Sequence, residues 1–503
     1  MIKDLPVLVI VVPLLCALIV PVAGKINKIY SWYLVVFTTL LCFAGSLSLL
    51  FTVFETGRIS YWLGGWKPPW GIEYAIDYFN GFVLCIVSLM AFLVAVYAKK
   101  SAEQEIEEGR IPFFYTIYLL FVTGLMGIVI TGDIFNLYVF LEITSLAGYA
   151  LIAVGKKREA LMASFNYLIM GTIGATFILL GIGHLYMVTG SLNMADLGER
   201  LPALYQSKVI HTAFAFFAVG LSIKIALFPL HNWLPGAYTY APSSVSAIMA
   251  ATGAKVGAYA LIRVMFTVFR PEFAISGIQL NHIFLFFAVV AILAGSILAV
   301  AQTEIKKMLA YSSIGQIGYI ILGIALLNLT GIKGSLIHIL NHALMKGSLF
   351  LVAGAVVYKT GITNIADFKG LGKKMPVSMA AFTVAALSMI GVPLTVGFVS
   401  KWYLAIASLE AGMWFLIPVL LLSSLLMAVY FWRVIDNIYF QPYEEGDISR
   451  FLAPARNPSQ KSKELPGSML WPIVILAGLC IFFGLFAYLP LSVAEKASVI
   501  LLR

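Results

Sequence analysis

Seven ionisable side chains lie well inside long apolar stretches of this sequence, where a charged group is costly. They are Glu142, Lys224, Lys255, His338, His342, Lys346 and Lys401. Lys224, for example, is the only Asp, Glu, Lys or Arg residue between Lys208 and Lys255. Ionisable residues at such depth in a bilayer are rare and usually mark ion or proton pathways. Because amine, imidazole and carboxyl groups can all bind and release protons, the set predicts proton transfer.

The segment HILNHALMK places His338, His342 and Lys346 four residues apart, so that all three project from one face of a helix. Two histidines at this spacing could bind a metal, but no glutamate follows in the HExxH pattern and no third ligand is evident. We therefore predict neither a metal nor another cofactor, and no catalytic residue in this chain.

Glu142 is the one carboxylate that faces several central lysines. A static set of helix-to-helix ion pairs would explain Glu142 with one lysine, but it would leave the other lysines unpaired. A buried lysine gives up its proton more readily than an exposed one and can then act as a proton carrier. We therefore favour a transport function, with a structural scaffold subunit as the alternative from another class.

The composition identifies a polytopic membrane protein. Hydrophobic residues make up 61% of the 503 positions and charged residues 11%, and the mean hydropathy is +0.96. The net charge of +10 is not gathered into a basic helix or cluster, so a nucleic-acid partner is not expected. The four cysteines form no CxxC motif and there is no dinucleotide fingerprint, which argues against a redox subunit that binds quinone or a metal cluster itself.

Apolar runs of about 17 to 25 residues are long enough to cross a bilayer as helices. The predicted fold is therefore all-α, with about fourteen transmembrane helices. The runs lie near 5–24, 31–53, 81–98, 113–131, 134–154, 163–189, 209–228, 244–268, 281–301, 308–329, 332–358, 377–406, 411–438 and 469–490.

A short repeat links the seventh and twelfth runs. The pattern V-G-x-x-x-K ends at Lys224 in one and at Lys401 in the other. Helices five apart run in opposite directions, so the pattern predicts two inverted five-helix repeats, a plan in which coupling sites lie near the midplane on interrupted helices. Pro229, Pro235 and Pro393 supply the interruptions, and we predict that helices 7 and 12 are broken.

These features divide the chain into five parts. The predicted parts are N-terminal helices in 1–110, a first repeat in 111–270, a second repeat in 271–440, a linker in 441–468 and a C-terminal helix in 469–503. The odd-numbered loops hold about twice as many lysines and arginines as the other side, which predicts that these loops are cytoplasmic and that both termini lie outside. We expect the cell (plasma or inner) membrane as the location, and interfacial snorkelling for Arg263, Arg270 and Arg433.

Several segments together resemble a known family. They are GDIFNLYVFLEITSLAGYALIA, IKIALFPLHNWLPGAYTYAPSSVSAIMAATGAKVGAYALIR, KKMLAYSSIGQIGYI, HILNHALMKGSLFL and GVPLTVGFVSKW. From about the fourth helix to the thirteenth, the chain resembles the antiporter-like membrane subunits of respiratory complex I, membrane-bound hydrogenases and Mrp-type multisubunit sodium/proton antiporters.

The resemblance implies a polar axis along the membrane midplane and a role for each buried group. It implies that the fifth-helix Glu142 tunes the seventh-helix Lys224. Lys255 corresponds to the eighth-helix lysine of the family, and His338 to the eleventh-helix histidine, with His342 and Lys346 in the same motif. At the twelfth helix some members carry glutamate, whereas this chain has Lys401.

The fifth-helix phrase looks most like the D-type protein of Mrp antiporters and its equivalent in membrane-bound hydrogenases or sulfur-reducing complexes. No long lateral helix follows the fourteenth run, which disfavours the distal complex I subunit. The expected partners are other membrane subunits, the lipid bilayer and H⁺. Any redox reaction would belong to other subunits, and the residues leave open whether Na⁺ passes through this chain.

Overall fold

The chain folds into long apolar helices, as the sequence predicts. The computed structural model describes residues 3–273, 280–442 and 464–502. Within these residues, twelve helices are long and apolar enough to cross a membrane. They are α1 Leu5–Ile26, α2 Lys28–Thr56, α3 Tyr78–Glu105, α4 Ile111–Ile130, α5 Ile134–Ala153, α6 Arg158–Thr189, α10 Ser243–Val268, α11 Leu280–Val300, α12 Ile305–Ala325, α13 Leu329–Thr360, α16 Leu416–Tyr439 and α17 Gly467–Leu485. The short helix α7 is Met194–Arg200.

The predicted seventh and twelfth helices are each divided in two. The seventh run forms α8 (Lys208–Lys224) and is continued beyond its predicted end by α9 (Trp233–Tyr240). The twelfth run forms α14 (Pro376–Ile390) and α15 (Val396–Glu410). Pro229 and Pro393 lie in the breaks. Pro235 does not, because it occupies the first turn of α9, where a proline ring costs no helical hydrogen bond. The prediction of an interruption at Pro235 is therefore wrong.

Backbone conformation marks both breaks. Ala226 has φ +56° and Leu394 has φ +69°, a left-handed conformation that residues other than glycine seldom adopt. The two lysines lie on opposite sides of their breaks. Lys224 ends the half-helix before its break, whereas Lys401 lies in the half-helix after its break. The two V-G-x-x-x-K stretches therefore do not occupy equivalent places relative to the interruptions, and the shared spacing is a poor guide to the repeat.

Helix α13 lies at the centre of the bundle. It packs against α12, α14, α15, α17, α10 and α3, and against a C-terminal helix α18 (Tyr488–Leu501). Every residue of its most apolar 18-residue stretch is buried. Asn328 caps its N-terminus by accepting from the Gly331 N–H, and Gly361 ends it with φ +73°. The polar face predicted for this helix thus points into protein rather than into lipid.

A close crossing of α6 and α8 fixes the position of Lys224. A Cβ added to Gly220, one turn before Lys224, would lie 2.7 Å from the carbonyl oxygen of Gly174 on α6. Small residues allow such approaches between helices in a membrane, where packing rather than the hydrophobic effect drives association. The position of α8 relative to α6 is therefore fixed by a contact that lies only one helical turn from Lys224.

The loop between α2 and α3 contains a short antiparallel hairpin, a feature that the predicted all-α fold does not include. Strands β1 (Ile59–Trp62) and β2 (Glu73–Ile76) pair along their whole length. The buried Glu73 accepts from Ser60 of β1 and from the Asn193 side-chain amide at 2.9 Å. The hairpin is thereby joined to the start of α7. We call the side of the protein that carries β1, β2 and α7 the hairpin face.

The chain after α16 departs from the predicted single helix. Helix α17 ends at Leu485, and the separate helix α18 packs against α3 and α13. Most of the predicted linker 441–468, namely residues 443–463, lies outside the described residues.

Two arginines depart from the simple interfacial role. Arg263 is buried and pairs with Asp77, so the snorkelling prediction is wrong for it. Arg433 donates to the carbonyl oxygen of Val300, the last residue of α11, at 3.1 Å and to that of Gln302 just beyond it at 2.5 Å. Both side chains donate to acceptors within the protein, although Arg433 Nε has no hydrogen-bond partner among the residues that the structure describes.

Candidate functional site

Glu142 and Lys224 lie together between α5 and α8. The Lys224 Nζ lies 3.7 Å from Glu142 Oε1 and donates a hydrogen bond of 2.8 Å to Ser145 Oγ. Glu142 and Ser145 are three residues apart on α5, so they share a face of that helix. Within the described part of the chain, Glu142 Oε1 accepts no hydrogen bond. The amine is therefore held by the serine and only loosely by the carboxylate.

The break after α8 creates a favourable place for the Lys224 amine. Lys224 is the last residue of α8, where the unpaired carbonyls of a helix end favour a positive charge. The Trp233 indole N–H donates to the Ile223 carbonyl oxygen at 2.9 Å. The Ala226 N–H donates to the same carbonyl at 3.1 Å, so this backbone acceptor at the break is fully used, as a bilayer interior requires.

A cavity of about 40 Å³ adjoins Lys224. Its wall includes Ser145, Tyr167 and residues of the turn Met249–Gly253 in α10, so it extends from the amine towards that turn. A polar cavity needs only about 10 to 15 Å³ to hold a water molecule. The space is therefore sufficient for water next to Lys224.

Lys255 follows a π-helical turn, Met249–Gly253, within α10. Its Nζ donates to the carbonyl oxygen of Ala250 in that turn. A π turn shifts the backbone pairing by one residue and is often found at functional sites. The turn thus supplies a backbone acceptor to a lysine that is only 1% exposed.

The three groups of the HILNHALMK segment face the interior from α13. His338 Nδ1 lies 2.9 Å from Ser400 Oγ of α15, and Lys346 donates to the Leu309 carbonyl oxygen at 2.7 Å and to Ser312 of α12. Neither ring nitrogen of His342 has a hydrogen-bond partner among the residues that the structure describes. The two histidine rings lie 6.0 Å apart between centroids. This face is polar and incompletely satisfied.

Lys401 crosses the break between α14 and α15. Its Nζ donates to the carbonyl oxygens of Met389 at 2.9 Å and Ile390 at 2.8 Å, which end α14, and to Ser424 Oγ at 2.9 Å. The ammonium also lies 5.3 Å from the centroid of the Tyr319 ring. Here the helix break supplies carbonyls, and the amine caps them.

Sequence reasoning missed a group of neutral polar side chains around Lys346 and Lys401. Three of their atoms are buried and have no hydrogen-bond partner within residues 3–273, 280–442 and 464–502: Gln316 Oε1, Tyr319 OH and Tyr430 OH. Tyr319 lies near Ser423 and Ser424, and Tyr430 near Ser312. Buried polar groups are nearly always satisfied, and ordered water commonly does so. A polar residue type within an apolar run was the available signal, and it is weak for Ser and Tyr.

The structure brings the predicted residues together in two clusters. Glu142 lies with Lys224, while Lys255 interacts electrostatically with His338, His342 and Lys346. Lys401 joins the second cluster through its interaction with His338. The cavity beside Lys224 reaches Met249 and Gly253 of the π turn that precedes Lys255.

The region that contains these clusters is similar to known proteins. Residues 131–427 match the family model described as NADH:quinone oxidoreductase/Mrp antiporter, transmembrane. The chain belongs to this family. The match contains both clusters, from Glu142 to Lys401, and confirms the resemblance to antiporter-like subunits.

Individual relatives of the NADH:quinone oxidoreductase/Mrp antiporter family match almost the whole chain. The N subunit of the NADH-quinone oxidoreductase of Desulforudis audaxviator is 45% identical, over 97% of this chain and 96% of the relative. The D-type protein of the Na⁺/H⁺ antiporter of Bacillus subtilis is 31% identical, over 87% of this chain and 85% of the relative. A chain of the archaeal membrane-bound sulfane sulfur reductase has a TM-score of 0.89 and 32% identity, with 99% of this chain and 98% of that chain covered.

Proposed function

We propose that this chain moves protons through the membrane along Glu142, Lys224, Lys255, His338, His342, Lys346 and Lys401, as an antiporter-like subunit of a multisubunit complex. The protons are held at Lys224, pass through Lys255 and the polar face of α13, and leave through Lys401. The cavity beside Lys224 and the polar groups around Lys401 offer places for water to complete the path.

The observation that carries this proposal is the type of acceptor that each lysine uses. Lys255, Lys346 and Lys401 donate to backbone carbonyl and hydroxyl oxygens, and none of the three forms an ion pair with a carboxylate in the described residues. A structural ion-pair scaffold would place a carboxylate beside each buried ammonium, because an unpaired buried charge is costly. Neutral acceptors suit an amine that exists in both protonated and neutral forms.

The Glu142–Lys224 pair acts as the switch. At about 4 Å and an effective dielectric constant of about 20, two unit charges attract by about 4 kcal/mol. Drawing Glu142 away removes that support, so Lys224 releases its proton towards Lys255. The Glu142 side chain is 29% exposed and Lys224 only 7%, so a neighbouring subunit can reach the carboxylate more readily than the amine.

We assign the fourteen predicted transmembrane helices by counting α8 with α9 as the seventh and α14 with α15 as the twelfth. The two five-helix repeats then span 111–270 and 271–440, and both termini lie outside. Two broken helices, one before and one after α13 along the chain, support this assignment, because interrupted helices near the midplane are typical of inverted-repeat transporters.

The proposed parent complex is an Mrp-type antiporter, with this chain in the place of its D-type protein. A second candidate is a complex that couples a redox reaction in other subunits to ion pumping. The identity of 45% to a quinone oxidoreductase subunit and the likeness to a sulfane sulfur reductase chain favour that candidate. Isolation of the native complex distinguishes the two, since a redox arm among the co-purifying subunits would rule out the Mrp-type assembly.

A transport assay tests the proton path. In everted vesicles that contain the assembled complex, Lys224→Ala should abolish ion-driven acidification, measured with a pH-sensitive fluorescent amine. Lys208→Ala is the matched control, because Lys208 is an exposed lysine at the other end of the same helix. Unchanged acidification by an assembled Lys224→Ala complex would refute the proposed function.

A further inference from the structure

A polar pocket of about 370 Å³ opens on the hairpin face beside α10. Exposed Arg58 and Glu199 stand at its rim, and buried Tyr259 and Arg263 of α10 line its inner part. The pocket therefore connects the exposed surface of the hairpin face with the buried guanidinium of Arg263.

Arg263 is held in place by several partners. Its Nη2 donates to Asp77 Oδ1 at 2.8 Å and its Nε to Tyr259 OH at 3.1 Å, and its guanidinium carbon lies 5.2 Å from the centroid of the Phe79 ring. Asp77 also accepts from the Phe79 and Asn80 N–H groups as the N-cap of α3. Burial alone would raise the pKa of Asp77, but the Arg263 charge and these hydrogen bonds hold it below its ordinary value. Both partners are therefore charged and fixed.

The pair stands between the pocket and the proposed proton path. Lys255, Tyr259 and Arg263 are spaced four residues apart in the regular helical segment Ala254–Arg263, so they share one face of α10. Eight residues of helix place Arg263 about 12 Å from Lys255 along the axis. Tyr259 lies between them, and its hydroxyl also donates to the Val129 carbonyl oxygen at 2.8 Å.

A guanidinium at this position cannot relay protons, because arginine stays protonated in proteins. A fixed positive charge in a narrow polar passage also repels protons and other cations. We propose that Arg263, held by Asp77, is an electrostatic gate that prevents protons on Lys255 from leaking to the hairpin face. The inference rests on the proposed function, since it needs Lys255 to carry protons.

The experiment measures passive proton leak. Vesicles that contain the complex are given a pH gradient without any driving ion, and the decay of the gradient is followed by a pH-sensitive dye. Arg263→Gln should speed the decay roughly tenfold, equivalent to lowering a barrier by about 1.4 kcal/mol. Vesicles with Asp77→Asn should keep the gradient as long as wild-type vesicles, because this variant keeps both the cap of α3 and the guanidinium. Arg58→Gln at the exposed rim should also stay tight.

Two further variants make the test decisive. Arg263→Gln combined with Lys255→Leu should restore the slow decay of the gradient, because the leak needs Lys255. If Arg263→Gln fails to assemble, Arg263→Gln with Asp77→Asn removes the unpaired carboxylate and should leak equally. An assembled Arg263→Gln complex without leak, or a leak that persists without Lys255, would overturn the gate. Loss of driven transport in Lys224→Ala would still support the proposed function in either case, so the two failures are distinguishable.

Discussion

The Lys224 amine is closer to Ser145 than to its counter-charge: the distance to Ser145 Oγ is 2.8 Å, whereas that to Glu142 Oε1 is 3.7 Å. The carboxylate acts on the amine chiefly through its charge, while the hydroxyl fixes the position of the amine. The two interactions can therefore be removed separately.

Replacement of Glu142 by Gln should reduce driven proton transport far more than replacement of Ser145 by Ala. The first change removes an attraction of about 4 kcal/mol, and the second removes a hydrogen bond to a charged group worth about 1.5 to 3 kcal/mol. Initial rates in vesicles with equal amounts of assembled complex provide the comparison. Equal losses in the two variants would contradict a switch based on charge.

The double change Glu142→Leu with Lys224→Met distinguishes a proton path from a structural scaffold. Apolar side chains of similar volume often replace a buried ion pair with little loss of stability. We therefore expect normal assembly on native gels and no transport. A double variant that transports at the wild-type rate would support a merely structural pair.

Lys401→Arg should stop transport although it keeps a positive charge. The Lys401 amine is bound to carbonyls of Met389 and Ile390, and an arginine could bind the same carbonyls but could not give up its proton. The assay is again acidification of vesicles, with Lys496→Arg on α18 as a control. Retained activity in Lys401→Arg would mean that Lys401 supplies only a fixed charge.

Gly220→Val should destabilise the protein, because a Cβ at this position would lie 2.7 Å from the Gly174 carbonyl oxygen and 2.8 Å from a side-chain carbon of Ile178. Overpacking of this kind typically costs about 1 to 3 kcal/mol. Thermal unfolding in detergent gives the measurement. Gly183→Val on α6 is the control, since no described atom other than its chain neighbours and the nearby backbone of its own helix lies within 4 Å of the added Cβ. Equal melting temperatures for the two variants would contradict the tight crossing.

The buried charges and the long helices could be predicted from the sequence because both are strong local signals. An apolar run of sufficient length needs no partner to be recognised, and a lysine within it stands out. The surroundings of those charges could not be predicted. The π turn that offers the Ala250 carbonyl to Lys255 and the alignment of Tyr319 with Lys401 depend on contacts between distant segments.

Local patterns also misled at specific places. The repeat V-G-x-x-x-K suggested equivalent positions for Lys224 and Lys401, but six residues carry little information about where a helix breaks. The position of Arg263 near the end of an apolar run favours the interface, yet Asp77 at the start of another helix supplies its counter-charge. A single sequence does not show such long-range pairs.

Nearly a third of the Glu142 side chain is exposed, although the residue lies near the middle of the apolar helix α5. A solitary copy of the chain would present an acid to acyl tails, which solvate it poorly. In the proposed complex an adjoining protein would cover this carboxylate. The closeness of that contact would then affect proton transport as well as assembly.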